Sequence, residues 1–206
     1  MSLWIDDAAV ELRPNATEED LQIVVRAVYK QILGNAHVLD SQRLSSAESM
    51  LRNGEITVRG IVRDVANSDL YRTRFLANSS PYRFIELNFK HLLGRAPQDQ
   101  TEISAHVQTY NADGYEAEID SYLGSDEYVA AFGENVVPYA RGASAQPGLI
   151  NVACSRLFAL DRGYAANDTG KAAKLTSDVA GNRGTKIKSP AKGSGAYSNT
   201  GKRFRI

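Results

Sequence analysis

The sequence predicts an all-α fold: a helical domain built from two similar helical halves, followed by an irregular C-terminal extension. Three observations lead there. Apolar residues recur every three and four positions through most of residues 17–132, whereas alternating, strand-like runs are scarce. Ser, Thr and Asp stand just before these stripes and Gly just after them, the punctuation of helix ends. The chain also writes one block twice: residues 27–36 read AVYKQILGNA, and residues 87–96 read LNFKHLLGRA. A second echo matches Ser68-Asp69-Leu70-Tyr71 and Phe75 with Ser125-Asp126-Glu127-Tyr128 and Phe132. One such unit cannot bury its apolar face alone, so two copies are expected to pack on each other.

Taken in order, Thr17 opens the first helix. Its hydroxyl can cap free amides, and Glu18, Glu19 and Asp20 suit the positive end of the helix dipole. Leu21, Val24, Val25, Val28, Tyr29 and Ile32 form its apolar stripe, and Gly34 stands where a left-handed cap is wanted. Leu44, Ala47 and Leu51 predict a shorter helix ending near Gly54. Thr57 caps another that turns Val58, Ile61, Val62, Val65 and Ala66 inward, and Ser68 caps a short one carrying Tyr71 and Phe75. In the second half, Ser80-Pro81 is a cap followed by proline at the first helical position. Phe84, Ile85, Phe89, Leu92 and Leu93 line this helix and Gly94 closes it. Asp99 and Glu102 have capping-box spacing ahead of Ile103, Val107 and Tyr110. Tyr115, Ile119, Tyr122 and Leu123 make the next stripe, and Ser125 caps a segment through Phe132.

The 206 residues fit one sizeable domain with extensions. We divide them into an N-terminal arm (1–16), the helical domain (17–142), a docked extension (143–165) and a basic flexible tail or linker (166–206). The tail is rich in Gly, Ser, Lys and Asn, too polar to offset its ordering entropy without a partner. The net charge of zero hides a division. Residues 1–161 hold 14 basic and 22 acidic side chains, and residues 162–206 hold 10 and 2. An acidic body therefore carries a basic tail, which is an argument about partners. The single cysteine, Cys154, excludes an internal disulfide framework and fits a reducing compartment. No apolar run reaches the length of a membrane span, and the acidic start is unlike a secretory or transit peptide.

The run from Phe84 to Pro97, FIELNFKHLLGRAP, resembles the signature of the phycobilisome linker family. AVYKQILGN at residues 27–35 is similar to the family's first helix, and EIDSY at 118–122 and NVVPYARG at 135–142 add two matching stretches. Arg162-Gly163-Tyr164-Ala165 and the later Asn182 and Ser189-Pro190 look like the extension of rod linkers. That resemblance implies a colourless, non-enzymatic, helical domain seated in the central hole of a phycobiliprotein hexamer. It would join discs into phycobilisome rods and tune nearby bilins so that excitation flows toward the core. The implied partners are phycocyanin or phycoerythrin α/β hexamers and other linker polypeptides. The bilins, phycocyanobilin or phycoerythrobilin, belong to those partners, and the chain needs no cofactor of its own. The implied location is the cytoplasmic or stromal face of the thylakoid, with membrane contact only through the antenna. Such rod linkers usually continue into a small β-rich module opening like Arg203-Phe204-Arg205-Ile206, where this sequence stops.

An asymmetric linker inside a symmetric ring needs many different contacts. Tyrosine supplies area with a polar tip and arginine supplies planar pairing with carboxylates. Ten tyrosines against six phenylalanines favour half-exposed use, with Tyr29 and Tyr122 reading as core. Arg72, Arg74, Arg83, Arg95, Tyr139, Arg141, Arg156 and Tyr164 are the interface candidates; an ordinary solvated charge is the alternative for each arginine. Phe84, Tyr139, Phe158 and Tyr164 are the pigment-proximal candidates, core packing being the stronger reading for Phe84 and Phe158. The basic tail reads either as a thread between acidic biliprotein surfaces or as a solvated linker. Its few aromatics and the acidic body argue against nucleic acid.

Catalytic and metal sets are weak. His37, His91 and His106 lack ligand spacing, and His91 reads as a surface or hydrogen-bonded residue. Asp126-Glu127 and Glu116 with Glu118 read as solubilising charge. Cys154 reads as a buried thiol before a bilin attachment site. The competing functional class is a duplicated helical interaction module of a secreted or surface protein. It shares the short repeated helix pattern, and triplets at Asn15, Asn78 and Asn167 fit a glycosylation pattern, but such triplets arise by chance and no signal peptide accompanies them.

Overall fold

A computed structural model describes residues 9–34, 37–141, 150–160 and 168–186. Helix α1 (Glu18–Ile32) begins at Thr17, whose hydroxyl accepts the Asp20 amide while the Asp20 carboxylate accepts the Thr17 amide, a full capping box. After a 3-10 turn (Asp40–Gln42) come α2 (Ser45–Arg52) and α3 (Val58–Asn67), the latter capped by Thr57. A short α4 (Asp69–Tyr71), capped by Ser68, runs into a π-helical turn (Arg72–Leu76). Helix α5 (Pro81–Leu92) starts from Ser80 with proline in its first turn. Helix α6 (Gln100–Leu123) starts from Asp99 and is broken at Gly114, where φ is 88° and ψ is −171°. Helix α7 (Asp126–Phe132) starts from Ser125. The extension adds α8 (Ile150–Leu160) and α9 (Thr176–Ala180). Among the described residues the only β pairing is a bridge between Glu11 and Val136, which ties the N-terminal arm to the segment after α7.

The main core is filled by the predicted stripes. Val28, Ile32, Ile61, Val62, Phe84, Phe89, Leu92, Ile119 and Tyr122 are all buried where α1, α3, α5 and α6 meet. Each such side chain adds about 1.5–3 kcal/mol of transfer free energy. Polar contacts sew α1 to its neighbours. The Tyr29 hydroxyl donates to Glu48 (3.0 Å) and accepts the Leu44 amide (2.7 Å), and burial pushes its pKa up to about 12. The Gln31 side chain donates to the Lys90 and His91 carbonyls at the end of α5.

Gly34 and Gly94 close the two written-twice helices with φ of 68° and 66°. Their missing side chains also make room. A Cβ on Gly34 would overlap the Asp168 carboxylate, and a Cβ on Gly94 would overlap the Tyr139 backbone carbonyl. Both positions therefore need glycine for conformation and for close approach.

One expectation is corrected here. Residues 166–206 were expected to stay flexible, yet 168–186 are packed on the body. Leu175 and Val179 form a second apolar cluster with Ala96, Ile103, Ala159 and Leu160. Asp168 is buried and ion-paired to Lys90 at 2.8 Å. The partner that offsets the ordering entropy is the chain itself. The Arg203–Ile206 opening of a further module lies outside the described residues.

Candidate functional site

A scaffold's site is its surface, so the question is which candidate side chains remain available. The sequence offers six interface arginines, and the fold spends four of them, Arg83, Arg95, Arg141 and Arg156, on internal contacts. Arg95, just past Gly94, makes paired hydrogen bonds to Glu102 and to Glu127 at 2.7–3.0 Å and lies over the Phe89 ring. Arg141 completes this cluster through Glu127 and the Leu93 carbonyl. Burial alone would raise the Glu127 pKa, but Arg95 and Arg141 outweigh it and hold the carboxyl below its usual range. Glu102 also accepts the Gln98 amide, in place of the Asp99 amide that capping-box spacing predicts. The cluster fixes the segment after α7 onto the end of α5.

Arg83 and Arg156 are fully buried, which corrects the expectation that they face a partner. Arg83 pairs with Glu86 at 3.1 Å and donates to the Gly170 carbonyl. Arg156 on α8 donates to the Gln98 carbonyl, the Asp178 carbonyl and the Asn182 side chain. Burial lowers its pKa, with Asp178 and Asp99 opposing. Both arginines lock the extension to the body.

Arg72 keeps 42% of its side chain exposed, lying over Tyr115 at 4.3 Å and 3.8 Å from Glu116. Arg74, from the same π-helical turn, is half-buried and reaches the His37 carbonyl and Gln42 at 3.3–3.4 Å. Tyr139 is half-buried, edge-on to Phe132 at 5.4 Å. Phe84 is core, stacked on Tyr115 at 5.5 Å, as its packing reading anticipated. Phe158 departs from its packing reading, being 41% exposed on the outer side of α8. Tyr164 and the Cys154 side chain lie outside the described residues. The arrangement thus leaves Arg72 and Phe158 on the surface and brings Arg95 and Arg141 together internally.

Sequence reasoning passed over other surface groups. Ile23, Leu39, Met50, Tyr82 and Val129 are exposed large apolar side chains. The available signal was their place off the helical stripes, as with Ile23 beside Val24 and Met50 beside Leu51. Of the tyrosines, Tyr29 and Tyr122 are core as expected and Tyr110, Tyr115 and Tyr139 are half-buried as expected. Tyr71 and Tyr128 depart from the half-exposed reading by being buried, while Tyr82 is exposed.

The histidines and carboxylates have structural settings. His91 is fully buried, so its surface reading is corrected; its Nδ1 lies 3.0 Å from the Tyr71 hydroxyl, which donates to Asn88. Burial lowers its pKa, against the pull of Asp168. Glu118 is buried rather than solubilising, 3.1 Å from Nδ1 of His106, whose ring stacks on Tyr122 at 4.0 Å. Ser121 meets the same Nδ1 at 3.2 Å. A nucleophile triad needs its hydroxyl and carboxylate on opposite ring nitrogens, so this trio cannot relay a proton in that way. Among the described residues no group of three or more His, Cys, Asp or Glu could hold a metal ion, and no helix is long and apolar enough to cross a membrane.

The family model for the phycobilisome linker polypeptide matches residues 16–141, from the cap of α1 through the Arg141 lock. The chain belongs to this family. It is 54% identical over 198 residues to the 27.9 kDa phycoerythrin-associated rod linker polypeptide of Microchaete diplosiphon, covering 96% of this chain and 79% of that protein. Two proteins of Mastigocladus laminosus are also similar. The 32.1 kDa phycocyanin-associated rod linker is 49% identical over 89% of this chain and 66% of its own length. The 34.5 kDa phycoerythrocyanin-associated rod linker is 48% identical over 89% and 67%. The chain thus spans about two thirds to four fifths of these linker relatives.

Proposed function

We propose that this chain is a non-enzymatic rod linker. It sits inside phycobiliprotein hexamers, joins discs into phycobilisome rods and biases the energies of the partner's bilins. The observation that carries this reading is the 54% identity to a rod linker over nearly the whole chain, extension included. The geometry supports it. Ionic locks around Arg95 and Arg83, with the hydrogen bonds of buried Arg156, make a helical body that holds its shape, and it presents dispersed groups such as Arg72, Tyr82 and Phe158. Dispersed, unlike contacts suit an asymmetric plug in a symmetric ring. The bilins are the partner's, and the chain's role toward them is electrostatic and steric. Arg72 over Tyr115 and Phe158 are the side chains we assign to the interface. The complex is peripheral, on the cytoplasmic or stromal thylakoid face.

Mixing the purified chain with phycoerythrin or phycocyanin hexamers tests this. Sedimentation velocity should show hexamers pairing into larger discs, and the bilin emission should shift. Unchanged sedimentation and emission with both hosts would overturn the proposal.

A further inference from the structure

Helix α5 carries a row of polar groups along one side, at Ser80, Arg83, Glu86 and Lys90, spaced three, three and four residues apart. Each meets the extension. The Ser80 amide donates to the Lys171 carbonyl (3.3 Å), and Arg83 donates to the Gly170 carbonyl. Glu86 accepts the amides of Lys174 (2.9 Å) and Leu175 (2.6 Å). Lys90 pairs with Asp168, which lies against Gly34. Residues 168–171 therefore run along α5 in antiparallel order, from Lys90 to Ser80, and the chain then turns back so that Lys174 and Leu175 meet Glu86. Glu86 is central: its carboxylate is 1% exposed, neutralised from one side by Arg83, and its oxygens take two successive backbone amides. Beyond this point α9 is bound by the apolar cluster and by Arg156.

We infer that Glu86 is a positioning residue for the C-terminal tail. It fastens residues 174–175 to α5 and so fixes the point at which the chain continues from Lys186 into the basic segment 187–206. That segment contributes five Lys and Arg and no Asp or Glu. Resting on the linker reading, this means the tail's partner is coupled to the helical body through α5, at a set origin. A flexible tether anchored only at the end of α8 would search a larger volume and deliver a lower effective concentration.

Amide hydrogen exchange on the full chain tests the fastening. In the parent, Lys174 and Leu175 should be protected. Glu86→Gln should raise their exchange about tenfold or more, together with that of residues 176–180, while α3 and α6 keep their protection. Lys174→Pro removes one donor without touching the core and should loosen residues 175–180 in the same way, which covers the case in which Glu86→Gln fails to fold. Unprotected amides at 174 and 175 in the parent, or unchanged exchange in both variants, would overturn the inference. Sedimentation with biliprotein hexamers separates the two claims. A parent chain that joins no hexamers strikes the linker reading and leaves the fastening standing. A Lys174→Pro chain that loses protection yet joins hexamers as the parent does strikes the positioning role.

Discussion

Helices α1 and α5 share a written-twice sequence and yet live in different surroundings. Ala27 to Gly34 align with Leu87 to Gly94, and both helices end at a left-handed glycine. Helix α1 is amphipathic in the ordinary way. It buries Leu21, Val24, Val25, Val28, Tyr29 and Ile32, and it leaves Ile23, Arg26 and Lys30 exposed. Helix α5 buries nine of its twelve residues, Arg83, Glu86, Asn88 and His91 among them. The positions sixty apart show the contrast pair by pair. Ile23 is 53% exposed where Arg83 is buried, and Lys30 is exposed where Lys90 pairs with Asp168. What differs is the cover, since α8 and residues 168–186 lie over α5. A repeated helix need not keep one solvent face, and burial of a charged residue is set by what comes later in the chain.

The largest expected break in this comparison is Arg83→Ala, which would leave Glu86 buried without its cation. A loss of about 3–5 kcal/mol in urea unfolding is expected, against about 0.5 kcal/mol or less for Ile23→Ala at the aligned position. Comparable losses at the two sites would show that α5 is not specially covered. Next come the glycines. Gly94→Ala meets a backbone carbonyl and a left-handed conformation together, and should cost roughly 2–4 kcal/mol. Gly34→Ala meets a side chain that can withdraw, so about 1–2 kcal/mol is expected, with loss of the Asp168 contact. Thermal unfolding of the two variants side by side should give that order.

Lys90→Ala sharpens the contrast further. It should cost about 1–3 kcal/mol through the abandoned Asp168 carboxylate, with Lys30→Ala near zero. The smallest effect is on pH dependence. An ordinary histidine titrates near 6.5, and burial, outweighing Asp168, keeps His91 lower in the fold. The unfolded chain then takes up a proton that the folded chain refuses. His91 therefore contributes fully above pH 6.5, and stability falls as pH drops below it. Asp168 has the same sign but a lower window. Burial would raise its pKa, His91 and Lys90 outweigh that, and its contribution is lost only below the ordinary aspartate value of 3.8. His91→Gln should flatten the decline between these two values in equilibrium unfolding. An unchanged slope would assign the decline to other groups.

The helices themselves were readable because each is announced twice, by an apolar period and by a cap. Thr17, Thr57, Ser68, Ser80, Asp99 and Ser125 all accept the predicted amides. The break at Gly114 shows only as the five-residue step from Tyr110 to Tyr115 between two stripes, and the π-helical turn carries no such announcement. The buried charges were unreadable for a different reason. Periodicity counts only apolar residues, so Arg83, Glu86 and His91 looked like the wet side of α5 until a second layer covered them. Within the polar stretch after 166, Leu175 and Val179 stand four apart and were the one trace of docking. As for the surface, Arg72 was found by residue type, whereas Arg83 and Arg156 show that type alone does not separate an outward guanidinium from an inward one.

The Glu86 carboxylate has a practical corollary for anyone shortening this polypeptide. A cut after Arg141 would follow the family boundary and spare helices α1 to α7. It would also strip the lid from Arg83, Glu86 and Lys90 and hand three ionised groups to water along a helix otherwise enclosed. Trimming after Lys186 keeps that seam shut.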